Sequence, residues 1–174
     1  MKKITILSLF TAFILFGVTA NAQEQGDIRV GAGLAVGTKA GAEAGTGGEV
    51  DSKLGLGVNV GAEYLITDMI SVAPSYTFFF ANSVDGVDYS LSALNIDARY
   101  YFGDSGIYGL AGFSSINAKA ESGGLSVSDS EGGLNIGAGV MYPLSDNLFA
   151  NGQVKYQSPG DGQLVINAGV AFAF

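Results

Sequence analysis

Apolar residues recur at every second position through most of this chain. At its end Leu164, Ile166, Ala168, Val170, Phe172 and Phe174 alternate with Gln163, Val165, Asn167, Gly169, Ala171 and Ala173. Successive residues of a strand point to opposite sides, so a period of two predicts a strand with one apolar and one small or polar face. The first segment sets Ile28, Val30, Ala32, Leu34 and Val36 against Arg29, Gly31, Gly33, Ala35 and Gly37. Leu54 to Tyr64, Ile70 to Phe80, Leu94 to Phe102, Leu134 to Tyr142 and Leu148 to Tyr156 repeat the split. Ile107 to Lys119 is ambiguous. Its polar Asn117 and Lys119 assign Tyr108, Leu110 and Ile116 to the apolar face. Pro74 falls mid-strand on the apolar parity, where it removes a ladder donor and predicts a bulge or kink.

Eight such segments of about ten residues match the length at which a tilted strand crosses a bilayer. Leu65 to Met69, Gly103 to Gly106 and Pro143 to Asn147 are short turns. Thr38 to Ser52, Ala81 to Asp88, Ala120 to Glu131 and Ser158 to Gly162 are longer or more polar, and predict mobile loops. This alternation predicts an all-β fold, an eight-stranded antiparallel up-and-down transmembrane β-barrel with its short turns in the periplasm.

A soluble barrel alternates too, but turns its apolar parity inward and a charged parity outward. Here the second parity is mostly Gly, Ala, Ser and Asn, a poor coat in water but a good filling for a narrow lumen. The aromatics support the lipid-facing assignment. Tyr64, Tyr100, Phe102, Tyr108, Tyr142, Phe172 and Phe174 gather on the apolar parity beside the short turns, and Phe78, Phe80 and Tyr156 near the opposite ends. Two aromatic rings around an aliphatic band predict the girdles of a membrane barrel.

Composition agrees. Hydrophobic residues make up 48% and charged ones 14%, against about 25% charged in soluble domains. The N-terminus explains how such a chain reaches a membrane. Met1-Lys2-Lys3, the apolar run Ile4 to Val18 and the small-residue motif Ala20-Asn21-Ala22 have the order of a secretory signal peptide. Residues 1–22 are therefore expected to be cleaved and 23–174 to form the barrel. Cleavage leaves six basic against sixteen acidic residues, a net charge of −10 that repels nucleic acid.

The segment Leu94 to Phe102, followed by Tyr108-Gly-Leu-Ala-Gly-Phe113, resembles the fourth and fifth strands of the small outer-membrane barrels, the OmpA/OmpX-like or porin family. The C-terminal Val170-Ala-Phe-Ala-Phe174 is similar to that family's terminal insertion signal, with Val170, Phe172 and Phe174 at the alternate positions. The resemblance covers the mature chain in pattern. It implies a bacterial outer-membrane location, contact with outer-membrane lipid and lipopolysaccharide, dependence on the insertion machinery, and a monomer. It does not imply the peptidoglycan anchoring of larger OmpA-type proteins.

With no His and no Cys, the chain lacks the common general base and the thiol nucleophile, so no catalytic residue, cofactor or metal site is expected. Asp85 with Asp88 and Asp129 with Glu131 read as solvated loop acids, and no loop has calcium-binding spacing. The acidic loops could attract the divalent cations of a lipopolysaccharide surface. Inside, Arg29, Glu63, Asp97 and Arg99 fall on the interior parity near the periplasmic end and predict a mutually paired plug. The expected role is structural or surface-interacting; the alternatives are a narrow channel for ions or small solutes and, last, an enzyme.

Overall fold

The computed structural model describes residues 24–44 and 50–174. The signal-peptide reading of residues 1–22 lies outside them, as does Glu49. Eight strands follow one another: β1 (Ile28–Ala44), β2 (Val50–Leu65), β3 (Ile70–Val84), β4 (Val87–Tyr101), β5 (Ile107–Ser122), β6 (Leu125–Pro143), β7 (Leu148–Gln157) and β8 (Gln163–Ala173). Each pairs antiparallel with its chain neighbours, and β8 returns to β1 to close the barrel. The seam closes tightly. Gly33 lies opposite Gly169, and a Cβ on Gly33 would stand 2.7 Å from the Gly169 Cα.

Pairing also fixes the tilt. From Gly31, the ladder through Gly61, Ser75, Asn95 and Ser114 reaches β6 at Gly133, whereas through Ala171 and Phe149 it reaches β6 at Pro143. That stagger of ten residues makes the strands slant around the axis, as a closed eight-stranded barrel requires. Alternation then separates the faces. Leu34, Leu56, Ile96, Ile136 and Ile166 stand exposed on the outside, while Arg29, Ala35, Glu63, Phe79, Asn95 and Asn135 are buried in the lumen.

β5 runs opposite to the sequence expectation. Tyr108 and Leu110 are 0% and 4% exposed inside the barrel, and Phe113, at 52%, faces out. Ile116 shares the inward parity. Asn117 and Lys119 misled the assignment because they lie above the apolar band, where an outward side chain meets water. Tyr108 therefore leaves the proposed girdle. The other nine aromatics all point outward, and Tyr100–Phe102 and Phe172–Phe174 meet edge to face with ring centroids 5.4 and 5.2 Å apart.

The long connections are mostly strand rather than loop. β3 and β4 continue to a two-residue turn at Asp85-Gly86, and β5 and β6 to one at Gly123-Gly124. All four residues have positive φ, the mirror-image turn geometry that matches the twist of a hairpin. Since β4 and β5 pair up to Asp88 and Glu121, β3 to β6 form a four-stranded wall standing above the barrel. The β7–β8 turn at residues 158–162 is low beside it. Pro74 makes no bulge; the β2–β3 ladder lapses between Gly61 and Tyr64 and resumes in the same register. Register shifts occur instead between Gly37 and Gly41 of β1 and between Phe79 and Asn82 of β3.

The faces are testable. Ile136→Arg, placing a charge on the outer surface, should cost about 2–4 kcal/mol in urea refolding titrations in lipid. A cysteine replacing Phe113 should react with a bilayer-soluble maleimide, and one replacing Leu110 should not. The opposite labelling would mean that β5 is turned the other way.

Candidate functional site: the polar lumen

The lumen holds most of the buried charge, arranged at two levels. At the short-turn end Glu63, from β2, is the hub. Its Oε1 accepts hydrogen bonds from Ser71 Oγ of β3 at 2.5 Å and Tyr101 Oη of β4 at 2.6 Å. Its Oε2 accepts from Arg99 Nη1 at 3.1 Å and lies 3.8 Å from Arg29 Nη1. Four strands thus converge on one carboxylate, which a lumen of this width permits because inward residues of distant strands are within reach of one another. Arg29 also sits 3.5 Å from Asp27, and its guanidinium lies over the Phe149 ring at 4.8 Å. Arg99 stacks in the same way on Tyr108, at 4.7 Å. Delocalised guanidinium ions tolerate such aromatic contact better than an ammonium does.

Asp97 is not part of that group. Two residues before Arg99 on the same face of β4, it lies one step further along the lumen, where Lys155 of β7 donates to its Oδ2 at 2.9 Å. Lys155 is 0% exposed and Asp97 2%. Asn135 Nδ2 donates to Asp97 Oδ1 at 2.8 Å, and both Asn135 and Gln157 donate to Asn95 Oδ1. Gln163 in turn donates to Gln157 Oε1 at 3.0 Å. Gln153 belongs to the first level, its Oε1 accepting from Arg99, and the Tyr108 hydroxyl lies within hydrogen-bond reach of both Asn151 Oδ1 and Gln153 Oε1.

Of the four charges expected in one plug, then, Arg29, Glu63 and Arg99 are brought together, and Asp97 is placed in a second pair. Lys155 was the missing partner. Its signal lay in β7, whose inward parity after Phe149 is polar throughout: Asn151, Gln153, Lys155 and Gln157. The expected level was wrong because strand tilt carries residues at different distances from the turns to a common height.

Between the levels and the β1–β8 seam lies a cavity of about 50 Å³, lined by Arg29, Asn59, Glu63, Arg99, Asn151 and Asn167 among others. It has room for a few waters. Arg29 Nε and Nη1, Arg99 Nε and Asn167 Oδ1 have no hydrogen-bond partner among the described residues, and bridging waters would satisfy them there. Among the described residues no three acidic side chains converge as a metal site.

The sequence matches the family model described as outer membrane protein beta-barrel domain over residues 8–174. The N-terminal β-barrel domain of Pseudomonas aeruginosa OprF superposes with a TM-score of 0.59 at 25% identity, covering 87% of this chain and 100% of that one. Neisserial surface protein A gives 0.64 at 21% identity, over 85% and 96% of the two chains. Ail, the attachment invasion locus protein of Yersinia pestis, gives 0.59 at 20%, over 86% and 99%. No curated protein matches the sequence.

Breaking the deeper pair should be costly. Lys155→Met leaves Asp97 charged and uncompensated, and a loss of about 3–5 kcal/mol is expected in refolding titrations. Asp97→Asn combined with Lys155→Met should recover much of it, since removing both charges removes the uncompensated one. A double mutant no more stable than the single would show that the two charges are not coupled.

Proposed function

The chain belongs to the outer membrane protein β-barrel family, and on that premise we propose that it is a non-catalytic, closed-lumen barrel whose work is done by its protruding surface. Its place is the bacterial outer membrane. The observation that carries the reading is the pair of lumen networks, one around Glu63 at the short-turn end and one from buried Lys155 and Asp97 to Gln163 near the opposite mouth. A conducting pathway would need these groups to exchange their protein partners for ions and water, at the cost of unpairing buried charge. Arg29, Glu63 and Arg99 act in this reading as one plug, and Asp97 with Lys155 as a second at the next level. Signal cleavage after residue 22, the nine-residue aromatic girdle and recognition of Val170, Phe172 and Phe174 by the insertion machinery complete it.

The wall of β3 to β6 is the interaction surface. The upper part of β6, from Leu125 to about Gly132, pairs only with β5, because the β7–β8 turn first meets β6 at Leu134, through Ser158. Leu125 and Val127 are 80% and 74% exposed near its tip. An unpaired strand edge carrying apolar side chains can accept an extended segment of another protein. Its charge also constrains the partner. Asp85, Asp88, Glu121, Asp129, Glu131 and Asp161 crowd the hairpin end against Lys39, Lys53 and Lys119. Ail has been solved with the heparin analogue sucrose octasulfate; a mouth this acidic repels such a polyanion, so the fold likeness does not extend to that ligand.

Refolded protein in planar bilayers should show no discrete conductance steps at any salt concentration. Regular steps that grow with salt would transfer the assignment to a narrow channel. Replacing residues 120–127 by an Asn-Gly turn should leave heat-modifiable migration on SDS gels intact while abolishing binding to host or neighbouring-cell surfaces. Unchanged surface binding would remove the wall from its proposed role.

A further inference from the structure

We propose that the free edge of β6 takes an extended cationic peptide segment as an added antiparallel strand, basic at its lower end and apolar toward the hairpin tip. This rests on the surface role above and names the partner that the edge fits.

The edge is open in its backbone. On its β7 side, Leu134 accepts from the Ser158 N–H at 2.9 Å and donates to the Ser158 hydroxyl at 2.8 Å. Successive residues of an antiparallel ladder aim their N–H and C=O groups to opposite sides. Gly132, Ser130, Ser128 and Ser126 therefore aim theirs the same way as Leu134, away from β5. Beyond Leu134 that side holds no strand, and these groups have no backbone partner among the described residues. Only the Ser130 N–H is covered, by Asp129 Oδ1 at 3.0 Å. A segment laid along this edge would continue the line of β7 past the turn at 158–162 and pair every open group.

The side chains select what that segment carries. Asp129 and Glu131 line the mouth, and alternation puts Val127 and Leu125 on the same face of β6. From the tip toward the barrel this face reads apolar, apolar, acidic, acidic. Asp161 lines the mouth too, and the one cation beside it, Lys39, is spent on the Asp161 carbonyl at 3.0 Å. Directly opposed side chains on one face of a ladder interact. The favoured strand thus brings basic residues to Glu131 and Asp129 and aliphatic ones to Val127 and Leu125. An Asp129 carboxylate that turns to such a cation uncovers the Ser130 N–H for the ladder. A second copy of this edge fits less well, since it adds Asp129 and Glu131 again and no cation.

The test is fluorescence anisotropy of a labelled, end-capped peptide with the barrel in zwitterionic lipid nanodiscs. The probe Thr-Lys-Thr-Lys-Thr-Val-Thr-Val sets its lysines opposite Glu131 and Asp129 and its valines opposite Val127 and Leu125. Its threonines fall opposite Gly132, Ser130, Ser128 and Ser126, with their N–H groups toward the edge. N-methylation of the threonines should weaken binding at least about tenfold, while N-methylation of the lysines and valines, whose N–H groups point away, should change it less than about twofold. The reversed order Thr-Val-Thr-Val-Thr-Lys-Thr-Lys should bind about tenfold more weakly. Ser128→Pro removes an N–H that β5 does not use, so it should abolish binding and leave the barrel folded. Asp129→Asn with Glu131→Gln should erase the preference between the two orders. Heat-modifiable migration establishes that each variant is folded. Equal binding of the two orders, or equal loss from both methylated peptides, would overturn the proposal, reducing it to attraction between a cation and an acidic mouth. Self-association of the barrel that Ser128→Pro abolishes would overturn it in favour of a second copy. If replacing residues 120–127 abolishes surface binding but the peptide does not bind, the surface role stands and the cationic strand alone falls.

Discussion

In hydrocarbon there is no water to satisfy a backbone N–H or C=O, and each one left unpaired costs several kcal/mol. A β-sheet crossing a membrane therefore must close on itself, and the rest of this molecule follows from the β1–β8 ladder that does so. Closure with a ten-residue stagger fixes how far the strands slant and how wide the lumen is. Gly33 facing Gly169 lets the first and last strands approach without a side chain between them. Closure also defines an inside and an outside, which gives the alternation of the chain its meaning.

Once the lumen is narrow, it has to be filled, and the filling here is two-toned. Tyr101, Tyr108, Leu110, Met141 and Phe149 form an apolar cluster near the short-turn end, and Ala35, Ala40, Phe79 and Val165 another toward the hairpins. The ion pairs and amides run among them. Buried charges so placed contribute little net stability over well-packed apolar groups, because desolvation offsets their attraction. What they impose is geometry. Glu63 can satisfy Ser71, Tyr101 and Arg99 together only when β2, β3 and β4 stand in this register.

The same strands that cross the membrane keep pairing beyond it, so the surface is an extension of the barrel wall rather than a set of loose loops. Two-residue turns at Asp85-Gly86 and Gly123-Gly124 allow this, since their positive φ angles follow the strand twist. The β7–β8 turn stops short, which leaves an edge of β6 unpaired and opens the mouth above Gln163. The apolar edge and the open, acidic mouth are thus consequences of unequal hairpin lengths on a closed cylinder.

By itself the sequence determined the number of strands, the closed all-β architecture, the membrane it sits in and the facing of seven of the eight strands. Period-two alternation is a local property, and each residue reports its own environment. It also placed Arg29, Glu63, Asp97 and Arg99 inside, since charge on the small-residue parity has only one side to occupy. Only the tertiary structure decided which of them meet. Asp97 finds Lys155 across 58 residues because tilt and stagger bring β4 and β7 to one height, and nothing within either strand encodes that height. The facing of β5 was decided the same way. Its polar residues lie above the lipid, where polarity no longer distinguishes lumen from exterior, and the contact of Tyr108 with Tyr101, Asn151 and Gln153 turns the strand.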